Sequence, residues 1–260
     1  MIHSLDINNL SIHRGNKIVI SNLSMTINPG DCWAVLGPNG SGKTTLLQTL
    51  AGHIAPAAGE IKLNDTPLAG LSERRIAQQI GVLFQHSRYP FPQTVYEYCH
   101  AAHYPHQPLF APRNDTHSTT TEHALDVMQL TSFADKNIQH LSGGEQRRAA
   151  IAALLIQSPR FFLLDEPSNH LDIPHQIHTL NLLLQLAENE GRAVMMALHD
   201  INLAQRYCNK ILMIMSDGTV RHGMADEMLT AENLTQLYQH PIDAIRYGEQ
   251  TYWMYESGRK

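Results

Sequence analysis

Cysteine is scarce in this chain. Cys32, Cys99 and Cys208 are the only three; they are odd in number, widely separated and form no CxxC pair. That pattern excludes a disulfide framework and a thiolate metal knuckle, and it fits a reduced, cytoplasmic setting. Long apolar runs are missing too: none approaches the ~18–20 residues that cross a bilayer. Charge is sparse, with 19 Lys and Arg scattered among 24 Asp and Glu for a net charge of −5. A nucleic-acid surface draws its affinity from clustered cations, so no nucleic-acid partner is expected. The start, "MIHSLDINNLSIHRG", alternates polar and apolar residues and reads as a strand, not a signal peptide. No internal repeat or long low-complexity segment is visible. The 260 residues suffice for one large domain, or a domain with a subdomain, around a real core.

Histidine, by contrast, is abundant. There are sixteen, and "HAAHYPH" spaces three at His100, His103 and His106. Pro105 interrupts the helix that would stack them on one face, so they read as surface histidines and not as metal ligands.

Short apolar runs alternate with helical patterns, the signature of a largely parallel sheet with helices packed on it. "DCWAVLG" (31–37), "RFFLLDEP" (160–167), "GRAVMMALHD" (191–200) and "KILMIM" (210–215) are buried-strand candidates, the last stopped by a Ser216–Asp217–Gly218 turn. Two parts break the rhythm. Residues 1–28 alternate with period two and predict antiparallel β-structure. Residues 88–157 are helical and carry the Pro-rich "YPHQPLFAPRNDTHS", after which Thr119 and Glu122 fit a capping box opening "EHALDVMQL". The expected organisation is one domain over 1–260: a core from 1–87 and 158–223, a helical insert at 88–157, and a tail at 224–260 with a helix ("TAENLTQLY") and a hairpin around Gly248.

"GPNGSGKTT" matches G-x-x-x-x-G-K-[ST] between an apolar strand and a helix. Gly37, Pro38, Asn39, Gly40, Ser41, Gly42, Lys43, Thr44 and Thr45 would cradle phosphates. The glycines free backbone N–H groups to turn inward, Lys43 reaches the β- and γ-phosphates, and the Thr44 hydroxyl holds Mg²⁺. Asp165 and Glu166 end a buried strand, at the edge where an open α/β sheet binds ligands. There Asp165 would position Mg²⁺ and Glu166 would polarise the attacking water, which predicts hydrolysis and not binding alone. His199 ends another strand and would contact the γ-phosphate. Gln85 ends a short apolar run, a weak signal by itself. A second phosphate-binding helix start follows at Ser142, Gly143 and Gly144. A helix from Ser142 to Pro159 spans about 25 Å and the next strand returns about 20 Å. Both phosphate sites therefore lie on one sheet edge, and chain length leaves open whether they are one site or two.

The succession of P-loop, strand-ending Gln85, "LSGGEQ", "LLDEP", "SNHLD" and "ALHD" resembles the ATP-binding subunits of ABC transporters, from about Leu5 to Gly223. The resemblance implies a P-loop α/β fold with a mostly parallel core sheet, an antiparallel β-subdomain and an inserted helical subdomain. It implies that ATP and Mg²⁺ are the cofactors, that Asp165 is the Walker B aspartate and Glu166 the catalytic base. His199 is then the switch histidine, Ser168–Asp172 the D-loop, and Gln85 the Q-loop residue, a further Mg²⁺ ligand that passes motion to the insert. It also settles the two phosphate sites: the signature helix faces a second copy of the chain, so each ATP is clamped between one copy's P-loop and the other's Ser142–Gly144. Further implied partners are integral-membrane permease subunits and, indirectly, a periplasmic binding protein, with the chain peripheral on the cytoplasmic face of a bacterial inner membrane. Residues 86–99 would meet the permease.

"HYPH", "DEPSNHLDIPHQ" and "HDINLAQRYCNKILMI" look like importers of metal chelates: iron–siderophore complexes or haem first, cobalamin next. A soluble ABC-type ATPase acting on ribosomes or nucleic acid is the alternative; it usually needs two ATPase units or a coiled coil, and this chain has neither. Three departures stand out. The adenine-stacking aromatic is missing and His13 or Arg14 takes its region, where an arginine still contributes roughly 0.5–2 kcal/mol by stacking. Arg147 replaces the usual Gln of "LSGGE-x-Q-R", and Ala153 stands where an Arg is common.

Overall fold

The computed structural model describes residues 3–15, 17–85, 89–107, 116–248 and 250–255, Thr116 in its backbone alone. Period-two alternation builds the first pair of strands: β1 (Leu5–Arg14) lies antiparallel to β2 (Lys17–Ile27). Leu5 and Ile7 face the core, and a register shift then returns Leu10 and Ile12 to the same face, with Asn9 taking φ 49°. That is the work of a β-bulge. β3 (Cys32–Leu36) is buried along its whole length and leads through the glycine-rich turn into α1 (Lys43–Leu50). Alternation predicts antiparallel structure only as far as residue 28. β4 (Ala58–Leu63) and β5 (Thr66–Pro67) extend it to a four-stranded sheet, ordered β2-β1-β4-β5, although a helix separates them from the first pair in sequence.

A short α2 (Glu73–Ala77) precedes β6 (Ile80–Leu83). The helical block follows: α3 (Val95–His100), α4 (Thr116–Val127) and α5 (Gly143–Gln157). The chain returns as β7 (Phe161–Asp165), then α6 (Ile173–Glu190), β8 (Ala193–Ala197), α7 (Ile201–Tyr207), β9 (Lys210–Ile214) and β10 (Val220–Met224). α8 (Ala225–Met228), α9 (Ala231–Tyr238) and the hairpin of β11 (Ile242–Tyr247) with β12 (Gln250–Tyr255) close it. The second sheet runs β10-β9-β3-β8-β7-β6, parallel except for the β9–β10 pair.

The strands of this sheet read as unbroken apolar runs because both faces are covered. Cys32, Ala34, Leu36, Phe162, Leu164 and Met196 face one core, shared with α5, α6 and α7. Their neighbours Trp33, Val35, Phe161, Leu163 and Met195 face the other, shared with α1, β1 and β2. No helix among the described residues is long and apolar enough to cross a membrane.

Two local expectations need correction. α4 begins by Thr116, which puts Thr119 inside the helix, and Glu122 accepts from Ser118 Oγ at 2.9 Å. The capping boxes fall instead at Thr94–Glu97 and Ser142–Glu145. Residues 108–115 of the Pro-rich stretch lie outside the described residues. The histidines are not all on the surface either: His103 is buried, 3.2 Å from Thr121 Oγ1, with the His117 ring centroid 4.3 Å away. His106 goes elsewhere, to the Gln157 carbonyl. No group of three or more His, Cys, Asp or Glu side chains that could hold a metal ion occurs among the described residues.

Burial, followed by His117 and His100, lowers the His103 pKa to about 4. An unfolded histidine titrates near 6.5. The fold favours neutral His103, so this stabilisation is present above about pH 6.5 and is lost as pH falls towards 4. His103→Gln should flatten that part of the stability–pH curve, read from urea midpoints at pH 7 and pH 4.5. Equal slopes in both chains would exclude His103 as a source of the acid sensitivity.

Candidate functional site

Parallel strands bring their C-terminal ends to one edge, so Gly37 after β3, Asp165 at the end of β7 and His199 after β8 meet there. The loop after β3 depends on two left-handed glycines, Gly40 at φ 75° and Gly42 at φ 110°. A Cβ on Gly42 would also land on the Val19 side chain. Gly42 offers no side-chain cap, which leaves the first N–H groups of α1 for an anion. Lys43 is buried and curls over the loop, donating to the Gly37 carbonyl at 2.7 Å and the Pro38 carbonyl at 3.2 Å. Burial lowers its pKa, opposed by Glu166 and Asp165.

Thr44 Oγ1 donates to Asp165 Oδ2 at 2.6 Å, while Asp165 Oδ1 is buried with no hydrogen-bond partner among the described residues. Burial raises the Asp165 pKa against the pull of the Thr44 hydrogen bond. An orphaned carboxylate oxygen beside a hydroxyl is a hard-oxygen donor set of the kind Mg²⁺ takes, so Thr44 and Asp165 fit that ion. Gln85, the third expected ligand, turns its amide nitrogen to Glu166 Oε1 at 3.1 Å.

Glu166 is held more tightly than its neighbours. Its backbone takes φ 55°, a left-handed conformation that costs a non-glycine residue about 1–3 kcal/mol. Three side chains grip its carboxylate: Gln85, Asn169 Nδ2 and His199 Nε2, the last at 2.6 Å from Oε1. Asn169 lies in the "SNHLD" stretch, but sequence spacing gave it no role.

A cleft of about 380 Å³ opens over these groups. Asn39, Gly40, Gly42, Lys43, Thr44, Thr45, Gln85, Glu166 and His199 line it, together with Arg14 and Val19. Gly37, Pro38, Ser41 and Asp165 are not among its lining residues; Ser41 and Asp165 are buried, Asp165 at 3% exposure. Of the two candidates for the missing aromatic, Arg14 lines the cleft and His13 does not. Val19 was invisible to motif spacing because it arrives from the other sheet.

Ser142, Gly143 and Gly144 line a different cleft, of about 470 Å³, with Glu145, Arg148, the turn residues His170, Leu171 and Asp172, and His175 of α6. The two clefts have no lining residue in common. Glu145 accepts from both the N–H and the hydroxyl of Ser142 at 2.7 Å, which holds it below the usual carboxylate range. A Cβ on Gly144 would sit 2.7 Å from the His170 carbonyl, so only glycine lets that turn press against the helix start.

Lys43→Ala should weaken MgATP binding by at least about tenfold, since it removes the ammonium folded over the phosphate loop. Titration calorimetry reads this directly; unchanged affinity would show that the nucleotide sits elsewhere.

The ABC transporter family profile matches residues 20–169. The chain is 36% identical to the ferric enterobactin transport ATP-binding protein of Escherichia coli K12, over 88% of this chain and 84% of that protein. It is 34% identical to the hemin import ATP-binding protein of Escherichia coli O157:H7, over 92% and 93% of the two chains. Among solved structures, an inward-facing ABC transporter provisionally described as of the metal-chelate type superposes with a TM-score of 0.84, at 29% identity over 98% of both chains. The dimeric structure of a bacterial ABC transporter cassette gives 0.75 at 27% identity, over 85% of this chain and 98% of that one. A dimeric post-hydrolysis state of the cassette, bound to ADP and Pi, also gives 0.75, at 26% identity and the same coverage. With more than half its length matched by the profile, and with its phosphate loop, strand-end acids and signature helix placed as described, the chain belongs to the ABC transporter family as one of its ATP-binding proteins.

Proposed function

We propose that this chain is the ATP-hydrolysing subunit of an importer, works as an ATP-dependent pair, and powers uptake of a metal chelate. The observation that carries the hydrolytic assignment is Glu166: a carboxylate fixed by Gln85, Asn169 and His199 at the mouth of the cleft that Lys43 and Thr44 line. Held there, Glu166 accepts the proton of a water attacking the γ-phosphate. Lys43 neutralises charge on the β- and γ-phosphates, and the N–H groups at the start of α1 bind their oxygens. His199 keeps the carboxylate turned to the water. Thr44 and Asp165 would hold Mg²⁺, with Gln85 nearby, and the ion would supply positive charge against that of the phosphates.

The pairing rests on the two separate clefts. Each copy offers a complete P-loop and a second helix start that its own P-loop cleft does not reach, so ATP touching both copies favours closure and its hydrolysis releases them. The dimeric cassettes among the relatives support this arrangement.

The partners follow from the importer assignment: permease subunits, a periplasmic binding protein, and a peripheral position on the cytoplasmic face of the inner membrane. For residues 86–99, the proposed permease contact, His86–Arg88 lie outside the described residues; Phe91 is 74% exposed, while Val95 and Cys99 point into the core. Among the described residues of this stretch, 89–94 and Glu97 are therefore able to meet a partner. Names among the relatives favour an iron–siderophore complex or haem as cargo; cobalamin ranks next on sequence resemblance alone.

Glu166→Gln should keep MgATP affinity, lower turnover by roughly 10²–10⁴, and accumulate an ATP-dependent dimer in ultracentrifugation. Full turnover in that variant would remove Glu166 from the role of base. Ser142→Arg should bind MgATP as a monomer yet fail to dimerise, and normal dimerisation would refute the shared nucleotide.

A further inference from the structure

Arg147 puts a charge where its family pattern has glutamine, and the fold gives that charge a specific task. It is the fifth residue of α5, about one turn in from Ser142–Gly144, and is only 7% exposed. Its guanidinium donates to three backbone carbonyls. One terminal nitrogen reaches Phe84, and the other reaches Asp165 and, at 2.7 Å, Glu166. The Phe84 carbonyl belongs to the peptide bond that leads into Gln85. Those of Asp165 and Glu166 belong to the peptide bonds on either side of Glu166, the residue held at φ 55°. Parallel register explains the convergence: Leu83 pairs with Leu164, so Phe84 and Asp165 are the next residues of two adjacent strands.

A buried guanidinium whose partners among the described residues are neutral carbonyls is an expensive arrangement. Burial lowers the Arg147 pKa to about 10, opposed by Asp165 and Glu166, so the group remains a cation at neutral pH. Only a planar fork of several N–H donors meets three carbonyls at once. A glutamine has two N–H donors on a single nitrogen, a shorter reach and no charge. Arg147, Gln85 and Gly143 also line one cleft of about 180 Å³, which places the guanidinium between the two phosphate sites.

We propose that Arg147 is a positioning residue: it clamps the backbone that carries Gln85 and Glu166, and so ties the signature helix to the hydrolytic edge of its own chain. The proposal builds on the ATPase assignment above, and its test separates the two.

The full chain and its Arg147→Gln, Arg147→Lys, Gln85→Ala and double Arg147→Gln/Gln85→Ala variants would be compared by phosphate release, MgATP calorimetry, thermal midpoint and amide hydrogen exchange. Arg147→Gln should lower kcat roughly 10- to 100-fold with KM and MgATP affinity within about threefold. Arg147→Lys should recover part of the rate, because an ammonium still donates to carbonyls. Gln85→Ala should cost less in the Arg147→Gln background than in the parent, since both substitutions loosen one unit. Exchange at the amides of Gln85 and Glu166 should quicken in Arg147→Gln. An unchanged kcat in a folded Arg147→Gln chain, additive losses in the double variant, or unchanged exchange at those two amides would each overturn the clamp. A parent chain that hydrolyses no ATP would instead overturn the ATPase assignment, while the exchange measurement would still decide the clamp.

Discussion

The parallel alignment of β6, β7, β8 and β3 is the constraint on which the rest of the molecule depends. Each strand is buried on both faces and hydrogen-bonded on both edges or covered by a helix, so its end cannot slide without breaking a core and a ladder together. The residue types that end these strands have little in common: a glycine turn after β3, a glutamine after β6, two acids at β7, a histidine after β8. Register turns them into one site. A slip of one residue in β7 would point Asp165 away from Thr44 and exchange the two cores that Phe161 and Phe162 fill.

Charge at this edge is arranged against the usual preference for exposure. Lys43, Arg147, Asp165 and Glu166 are all buried, and the acids and bases are mostly bonded to backbone or to neutral side chains, not to one another. Burial raises Asp165 and lowers Lys43, the directions expected when charges lose water without gaining a full counter-ion. In the proposed function, a nucleotide and its metal ion would supply the charge that these side chains lack.

The helix start proposed as a second phosphate site is built differently. At the start of α5, Glu145 accepts the N–H and hydroxyl of Ser142, Ser142 Oγ accepts the Glu145 N–H, and the turn at His170 closes on Gly144. In the proposed pair, the phosphate there comes from the nucleotide of the other copy. The helix is nevertheless not independent of the hydrolytic edge, because Arg147 reaches back to the strand ends. On the proposed mechanism, one buried side chain would tie closure at one cleft to chemistry at the other.

Much of this was legible in the sequence, and the reason is physical. Gly40, Gly42, Lys43 and Thr44 act through backbone freedom and local spacing, so "GPNGSGKTT" carries its own geometry. Asp165 and Glu166 end an apolar run, and the run itself says they sit at a sheet edge. Period-two alternation announced β1 and β2, and Gly248 announced the closing hairpin. The remainder was decided by tertiary structure. β4 and β5 join the first sheet across an intervening helix, which no local period can foretell. Arg14 and Val19 reach the cleft from that other sheet, Asn169 reaches Glu166 from a turn, and His103 lost its water to a packed helix pair. Two clefts instead of one, and the three carbonyls that Arg147 holds, depend on strand order and register. Those are fixed by burial summed over the whole sheet, a quantity that no short stretch of residues contains.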